Sequence, residues 1–299
     1  MIRVTRRGFA ALAGAAAVVA RKAFAQNDAA PLIERAIPSS GERLPAVGLG
    51  TAYVFDSNDE RTRRSAAQVI GTLVEARGRV VDTASSYGEA ESVLGNAIAS
   101  AALRDKLFIA TKLEEPDAAE LKRSLARLET AKLDLLQLHN VRDPRRSLAQ
   151  FKAWQAQGVC RYIGITSTFH GDFAAVEAVL ERERPDFVQI DYSLDDREAE
   201  KRILPLAAEV KAGVLTALPF GRGRLFRAVR GQAIPDWATG FAGSWAQFFL
   251  KYLLGDERVT AVIPGTSDPA HMADNLGAMR GELPNQEQRK RMAAFIDGL

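Results

Sequence analysis

Cysteine occurs once in this chain of 299 residues, at Cys160. One thiol closes no internal disulfide and builds no cysteine-rich zinc site, so neither is expected to hold the fold together. Histidine is nearly as scarce: His139, His170 and His271 are the three, and none sits in an HExxH spacing. A dedicated catalytic metal site is therefore not expected. No GxGxxG run appears, which removes the usual Rossmann signature. Low-complexity linkers and breaks in composition are also missing, so one large domain is the reading rather than two.

Charge of one sign is scarce once the N-terminus is set aside. The pI near 9.0 and net charge of +3 resemble those of a nucleic-acid binder. Arg3, Arg6, Arg7, Arg21 and Lys22, however, precede residue 26 with no acid among them, which exceeds the whole excess and leaves a slightly acidic body. The later cations alternate with Asp and Glu, as on solvated helix faces, so no nucleic-acid partner is expected. Hydrophobic content of 47% with 26% charged residues is ordinary for a globular chain able to bury a large core.

The basic start is followed by an uncharged, Ala- and Gly-rich stretch from Gly8 to Ala20, then Arg21-Lys22 and Ala23-Phe24-Ala25. That order describes an export signal cut after Ala25. The stretch is too short for the ~20 residues of a membrane span, so no stable membrane anchor is expected. Arg6-Arg7 with Phe9 resembles the twin-arginine signal, implying the twin-arginine translocase as a partner during export and a periplasmic or exported mature protein. The alternative is a basic amphipathic helix that stays on the protein.

From residue 35 to 299, short apolar runs alternate with amphipathic helical stretches. Strands are predicted over 46–51, 80–83, 107–111, 133–138, 162–166, 187–191, 214–218 and 260–263, rich in Val, Ile and Leu as buried parallel strands are. Helices are predicted over 61–75, 118–128, 148–157, 172–182, 198–211, 244–254 and 269–276. Asp268-Pro269 offers a capping residue followed by a first-turn proline. Such βα repetition implies a parallel sheet, and eight evenly spaced strands favour a closed (β/α)8 barrel over an open sheet. A small hairpin is predicted at 37–44 before the first barrel strand, and a terminal helix over 285–299.

In such a barrel, chemistry gathers at the C-terminal strand ends. The second strand ends at Asp82, the third at Lys112 and the fourth at His139, with Tyr87 in the loop after the second. Singly, each has a structural reading: a strand-end acid, a rim lysine, a satisfied histidine, a turn tyrosine. Together they suit carbonyl reduction. Hydride arrival leaves an alkoxide-like oxygen that needs a proton. Tyr87 can supply it, Lys112 is expected to lower the phenol's pKa from ~10, Asp82 to hold the lysine charged, and His139 to hydrogen-bond the carbonyl oxygen.

The segments Val81-Asp82-Thr83-Ala84, Ser86-Tyr87-Gly88, Ala110-Thr111-Lys112 and Leu133 to His139 resemble the aldo-keto reductases. The likeness continues through Gly48-Leu49-Gly50-Thr51, Ile163 to Ser167, Val188 to Tyr192, Pro219 to Gly223 and Ile263 to Thr266, and ends at Asn275. It implies a (β/α)8 barrel acting on a small-molecule carbonyl with NADP(H), or alternatively NAD(H), through Asp82, Tyr87, Lys112 and His139. It also implies cofactor contacts from Gly50, Thr51, Asp82, Thr166, Ser167, Gln189, Pro219, Gly221, Gly223, Gly265, Thr266, Asp274 and Asn275. Ser167 stands where the family usually has Asn, and the run from Gly265 to His271 carries no fixed cation for a 2′-phosphate. Tyr192 and Phe220 are the candidates for the missing aromatic stack, and Arg222 and Arg224 for the missing cation.

Other readings are a cofactor-binding barrel serving a partner protein, and an aldolase with a Schiff base on Lys112. Tyr53, Phe55, Trp237, Phe241 and Trp245 either line the substrate pocket or pack in the core.

Overall fold

In the computed structural model, which describes residues 30–299, the chain forms a closed parallel barrel wrapped by helices. The predicted export signal lies outside the described residues. A hairpin comes first, β1 (Glu34–Ala36) against β2 (Arg43–Pro45). The barrel follows: β3 (Leu49–Gly50), β4 (Val80–Asp82), β5 (Phe108–Leu113), β6 (Leu133–Leu138), β7 (Cys160–Ser167), β8 (Phe187–Asp191), β9 (Gly213–Ala217) and β10 (Val259–Val262). Neighbours pair in sequence order, all parallel. The ring closes where the start of the first barrel segment meets β10, through parallel bridges Val47 to Val262 and Gly50 to Gly265.

The helices are α1 (Glu60–Glu75), α2 (Ala90–Ser100), α3 (Ala118–Arg127), α4 (Ala149–Ala156), α5 (Phe173–Glu183), α6 (Ile203–Val210), α7 (Arg224–Ala228), α8 (Trp245–Leu254), α9 (Pro269–Gly277) and α10 (Gln286–Asp297). Their starts are chemically marked. Asp59 accepts from the Thr62 amide, Asp117 from Ala119, Asp268 from Ala270 and Asn285 from Gln288, each satisfying an amide that the first turn leaves unpaired. On α1 the stripe Ala66, Val69, Ile70 and Leu73 is buried against the barrel, as the 3.6-residue period requires.

Strand alternation sorts the side chains. Val80, Phe108, Ala110, Leu135, Tyr162, Phe187, Leu215, Ala261 and Ile263 form the barrel's own core, joined by Ile37 and Leu44 from the hairpin region, which plugs the N-terminal end. Two residues further along the same inward faces come Asp82, Lys112, Gln137 and Gln189. The period of two therefore stacks an apolar floor beneath a polar ceiling. β1 lies just before the predicted segment and β2 overlaps its end, with Ile37 to Glu42 forming the turn, where the Ile37 amide donates to the Glu42 carbonyl at 2.7 Å.

Two helices escape the periodicity reading, α2 and the short α7, and the predicted helix over 198–211 is divided. A 3-10 turn at Glu198–Glu200 precedes α6, with Arg202 at φ −134° breaking the run. Pro205 then falls in the first turn, where its missing N–H costs nothing. In α2, Gly95 packs against the end of α3: a Cβ there would meet the Arg127 carbonyl oxygen at 2.2 Å and the Leu128 backbone at 2.8 Å. Gly95→Ala is expected to destabilise the protein by about 1–3 kcal/mol through this forced shift. A lower urea midpoint at unchanged slope would show it, and an unchanged midpoint would refute the close approach.

Candidate active site

Four inward side chains, Asp82, Lys112, Gln137 and Gln189 from β4, β5, β6 and β8, meet above the floor. The Lys112 ammonium donates to Asp82 Oδ2 at 2.6 Å and to the Thr83 carbonyl oxygen at 2.7 Å, both partners buried. Asp82 also accepts from Gln189 Nε2 at 3.1 Å and Gln137 Nε2 at 3.3 Å, so its carboxylate is held by one charge and two amides. Parallel register sets Lys112 beside Gln137 on adjacent strands, which is why the amide reaches the pair.

Tyr87 reaches this pair from the loop between β4 and α2. Lys112 Nζ lies 4.8 Å from its ring centroid, and the His139 ring stands edge-on to it at 5.7 Å. The expected lowering of the phenol pKa is corrected by its surroundings. Burial raises it most, Lys112 pulls it down and the Asp82 charge pushes it up; the net direction is upward. The phenol is thus held protonated throughout neutral pH. For Lys112, burial opposes the charge most strongly, yet Asp82 and Tyr87 together outweigh it and hold the ammonium above its ordinary value. His139 is shifted down by burial first and the Lys112 charge second, against an upward pull from Glu114.

These groups border a cavity of about 750 Å³ at the C-terminal mouth of the barrel. Of the residues expected from sequence, Gly50, Asp82, Tyr87, His139, Gln189, Pro219, Gly223 and Gly265 line it. Lys112 sits behind Asp82 and Tyr87. Thr51, Thr166, Ser167, Gly221, Thr266, Asp274 and Asn275 lie outside the lining. Thr51 Oγ1 donates to the Asp82 carbonyl at 3.1 Å, and Thr166 Oγ1 accepts from the Asn140 amide at 3.1 Å. The Ser167 hydroxyl donates to Asp172 at 3.0 Å, whereas Asp274 accepts from Gln247 Nε2 at 2.8 Å.

Gly221 (φ 55°), Arg222 (φ 52°) and Gly223 (φ 79°) form a left-handed run after β9. A Cβ on Gly221 would meet the Asp195 carboxylate at 2.5 Å, so glycine is required there twice over. Arg222 lines the cavity, while Arg224 donates to Asp195 at 2.8 Å. Of the aromatic candidates, Tyr53 stands 84% exposed at the mouth, and Phe169 and Phe220 join it on the wall. Phe55 is buried. Trp237 and Phe241 pack on Phe248, and Trp245 on Phe249 and Phe295; Phe241 belongs to the core, and the two tryptophans pack half-buried against it. Tyr192 is buried too, its hydroxyl donating to Glu200 at 2.5 Å.

Sequence reasoning missed Gln137, Glu114 and Ser86. Gln137 carried a signal, being a polar residue two positions beyond the inward Leu135 on the same face of β6.

A closed eight-stranded barrel with its ionisable groups gathered at the C-terminal mouth defines a (β/α)8 enzyme architecture. A profile of the Aldo/keto reductase family matches residues 46–296. The methylglyoxal reductase YeaE of Escherichia coli K12 is 29% identical over 267 residues, covering 85% of this chain and 92% of the relative. An aldo-keto reductase of Mycolicibacterium paratuberculosis is 30% identical over 248 residues, covering 78% of this chain and 80% of the relative. Among solved structures, an aldo-keto reductase from Klebsiella pneumoniae in complex with NADPH has the same fold at TM-score 0.75, with 23% identity over 89% of this chain and 96% of that one. The chain belongs to the aldo/keto reductase family, and is an oxidoreductase by that membership. No helix among the described residues is long and apolar enough to cross a membrane.

Proposed function

We propose that this protein reduces a small-molecule aldehyde or ketone to an alcohol, with NADPH as the favoured reductant and NADH as the alternative. The observation that carries the reading is the Asp82–Lys112 pair at 2.6 Å beneath the Tyr87 ring, with His139 beside it on one cavity wall. The bound cofactor would supply the hydride.

The residues present suit such a cofactor. The cavity volume is within the ~300–1,000 Å³ common for small-molecule sites. Gly50 and Gly265 face one another across the barrel seam and both line the cavity; a Cβ on Gly50 would meet the Ile263 carbonyl oxygen at 2.9 Å, so closure of the barrel requires glycine there. The left-handed run from Gly221 to Gly223 presents further backbone of the kind that receives phosphate oxygens. Gln189 is the amide available to a carboxamide, and Arg222, which lines the cavity within that run, is a cation that would be available to phosphate oxygens. Thr51, Thr166, Ser167, Thr266, Asp274 and Asn275 would act from behind this lining or after a local shift.

Tyr87 would donate its hydroxyl proton to the oxygen as charge develops there. Lys112 stabilises the phenolate left behind, and Asp82 keeps Lys112 charged and oriented. His139 fixes the carbonyl oxygen. Turnover of a simple aldehyde tests the reading, and titration with both cofactors tests the preference. At least about tenfold tighter NADPH binding, worth ~1.4 kcal/mol, is expected; the reverse order would refute the preference. From the N-terminal sequence we also propose export through the twin-arginine translocase with cleavage after Ala25, which fractionation finding the mature chain only in the cytoplasm would overturn.

A further inference from the structure

The His139 ring has a second partner that carbonyl reduction has not used. Glu114, immediately beyond the end of β5, places Oε1 at 2.6 Å from His139 Nδ1. The Ser86 hydroxyl donates to the same Glu114 oxygen at 3.1 Å and lies 3.4 Å from Nδ1. A hydroxyl that has given its one proton to the carboxylate can only accept from the imidazole. Both neighbours of Nδ1 are therefore acceptors, and Nδ1 must carry a proton.

We infer that Glu114 is a positioning residue that locks the His139 proton on Nδ1, so that His139 can donate from Nε2 to a carbonyl oxygen only as an imidazolium. The neutral ring holds one N–H, and with that proton on Nδ1 the Nε2 atom is bare and accepts rather than donates. Protonation adds the missing donor, with Glu114 facing the new charge. This rests on the reductase reading for its consequence, though not for its geometry.

The groups facing the ring set where the switch falls. Glu114 and Lys112 come from β5 and its end, Asp82 from β4, and Tyr87 from the loop that follows. Burial and the Lys112 charge disfavour the imidazolium, Glu114 and Asp82 favour it, and the balance lies below the ordinary histidine value of 6.5. The donor is the protonated form, so it is present below that ionisation and lost as pH rises through it. Reduction should accordingly fall about tenfold per pH unit above it, in kcat more than in KM, because the bond strengthens as charge develops on the oxygen.

Glu114→Gln separates this device from a merely structural contact. The glutamine amide can donate to Nδ1, moving the ring proton to Nε2 and making the neutral ring a donor. The variant should lose the histidine limb of the kcat profile and surpass the parent above neutral pH. Nitrogen-15 spectra of the full mature chain, with His139 assigned by comparison with His139→Gln, should show the Nδ1–H tautomer in the parent and Nε2–H in Glu114→Gln. An Nε2–H tautomer in the parent, or a pH profile that Glu114→Gln leaves unmoved, overturns the inference. The tautomer is read without turnover, so an inactive protein with the Nδ1–H pattern supports the pair and refutes the reductase reading instead.

Discussion

Tyr87→Phe is expected to lower kcat for carbonyl reduction by about 10²–10⁴-fold, the usual scale for removing a general acid. The substitution takes away one hydroxyl and little else. The ring would keep its place 4.8 Å from Lys112 Nζ and edge-on to His139 at 5.7 Å. Cofactor affinity and the denaturation midpoint should therefore barely change, and the loss should fall on the chemical step. Burial holds the phenol above its ordinary value of 10.0, so the parent enzyme has its acid in the donating form at every pH near neutrality. No downturn from Tyr87 ionisation should appear in that range for reduction. Retention of activity within about tenfold in the Phe variant would reassign the proton donor, with His139 the next group in reach.

The ceiling of the barrel was legible because short apolar runs mark the buried strands and the chemistry of a (β/α)8 barrel gathers at their C-terminal ends. Asp82, Lys112 and His139 could be placed at one rim from their positions at strand ends. What escaped depends on approach between segments far apart in the chain. Gln137 meets Asp82 and Gln189 only through barrel register and closure. Glu114 follows a strand as His139 does, but nothing in the local sequence says that its side chain turns back to an imidazole 25 residues away. Helix α2 was within reach: Ala90, Val93, Leu94, Ala97 and Ile98 form the stripe of an amphipathic helix, and all are buried. Its Gly95 reads locally as a breaker, although tertiary packing against α3 is the reason it is there. The direction of the Tyr87 shift went the other way because sequence displays a neighbouring charge and hides burial. The aromatic run near α8 shows the same limit, since helix packing absorbed Trp237, Phe241 and Trp245.

Lys112→Met should be costly in two separable ways. Lys112 is 2% exposed, and removing its ammonium leaves the Asp82 carboxylate buried with only the Gln189 and Gln137 amides as side-chain donors. Breaking one side of a buried pair in this way costs about 3–5 kcal/mol, which a urea titration would read as a lower midpoint. The phenolate formed by proton donation would also face Asp82 with no cation between them, so kcat should fall at least as far as in Tyr87→Phe. Lys112→Met combined with Asp82→Asn distinguishes the two effects. With no charge left to bury, the double variant should recover much of the lost stability, because contacting partners are not additive. Activity should stay lost, since neither remaining side chain can stabilise a phenolate. A double variant that recovers turnover along with stability would mean that the pair serves to hold the barrel together rather than to tune Tyr87. One that recovers neither would place the role of Lys112 in its bond to the Thr83 carbonyl, 2.7 Å away, and in the loop that bond anchors ahead of Tyr87.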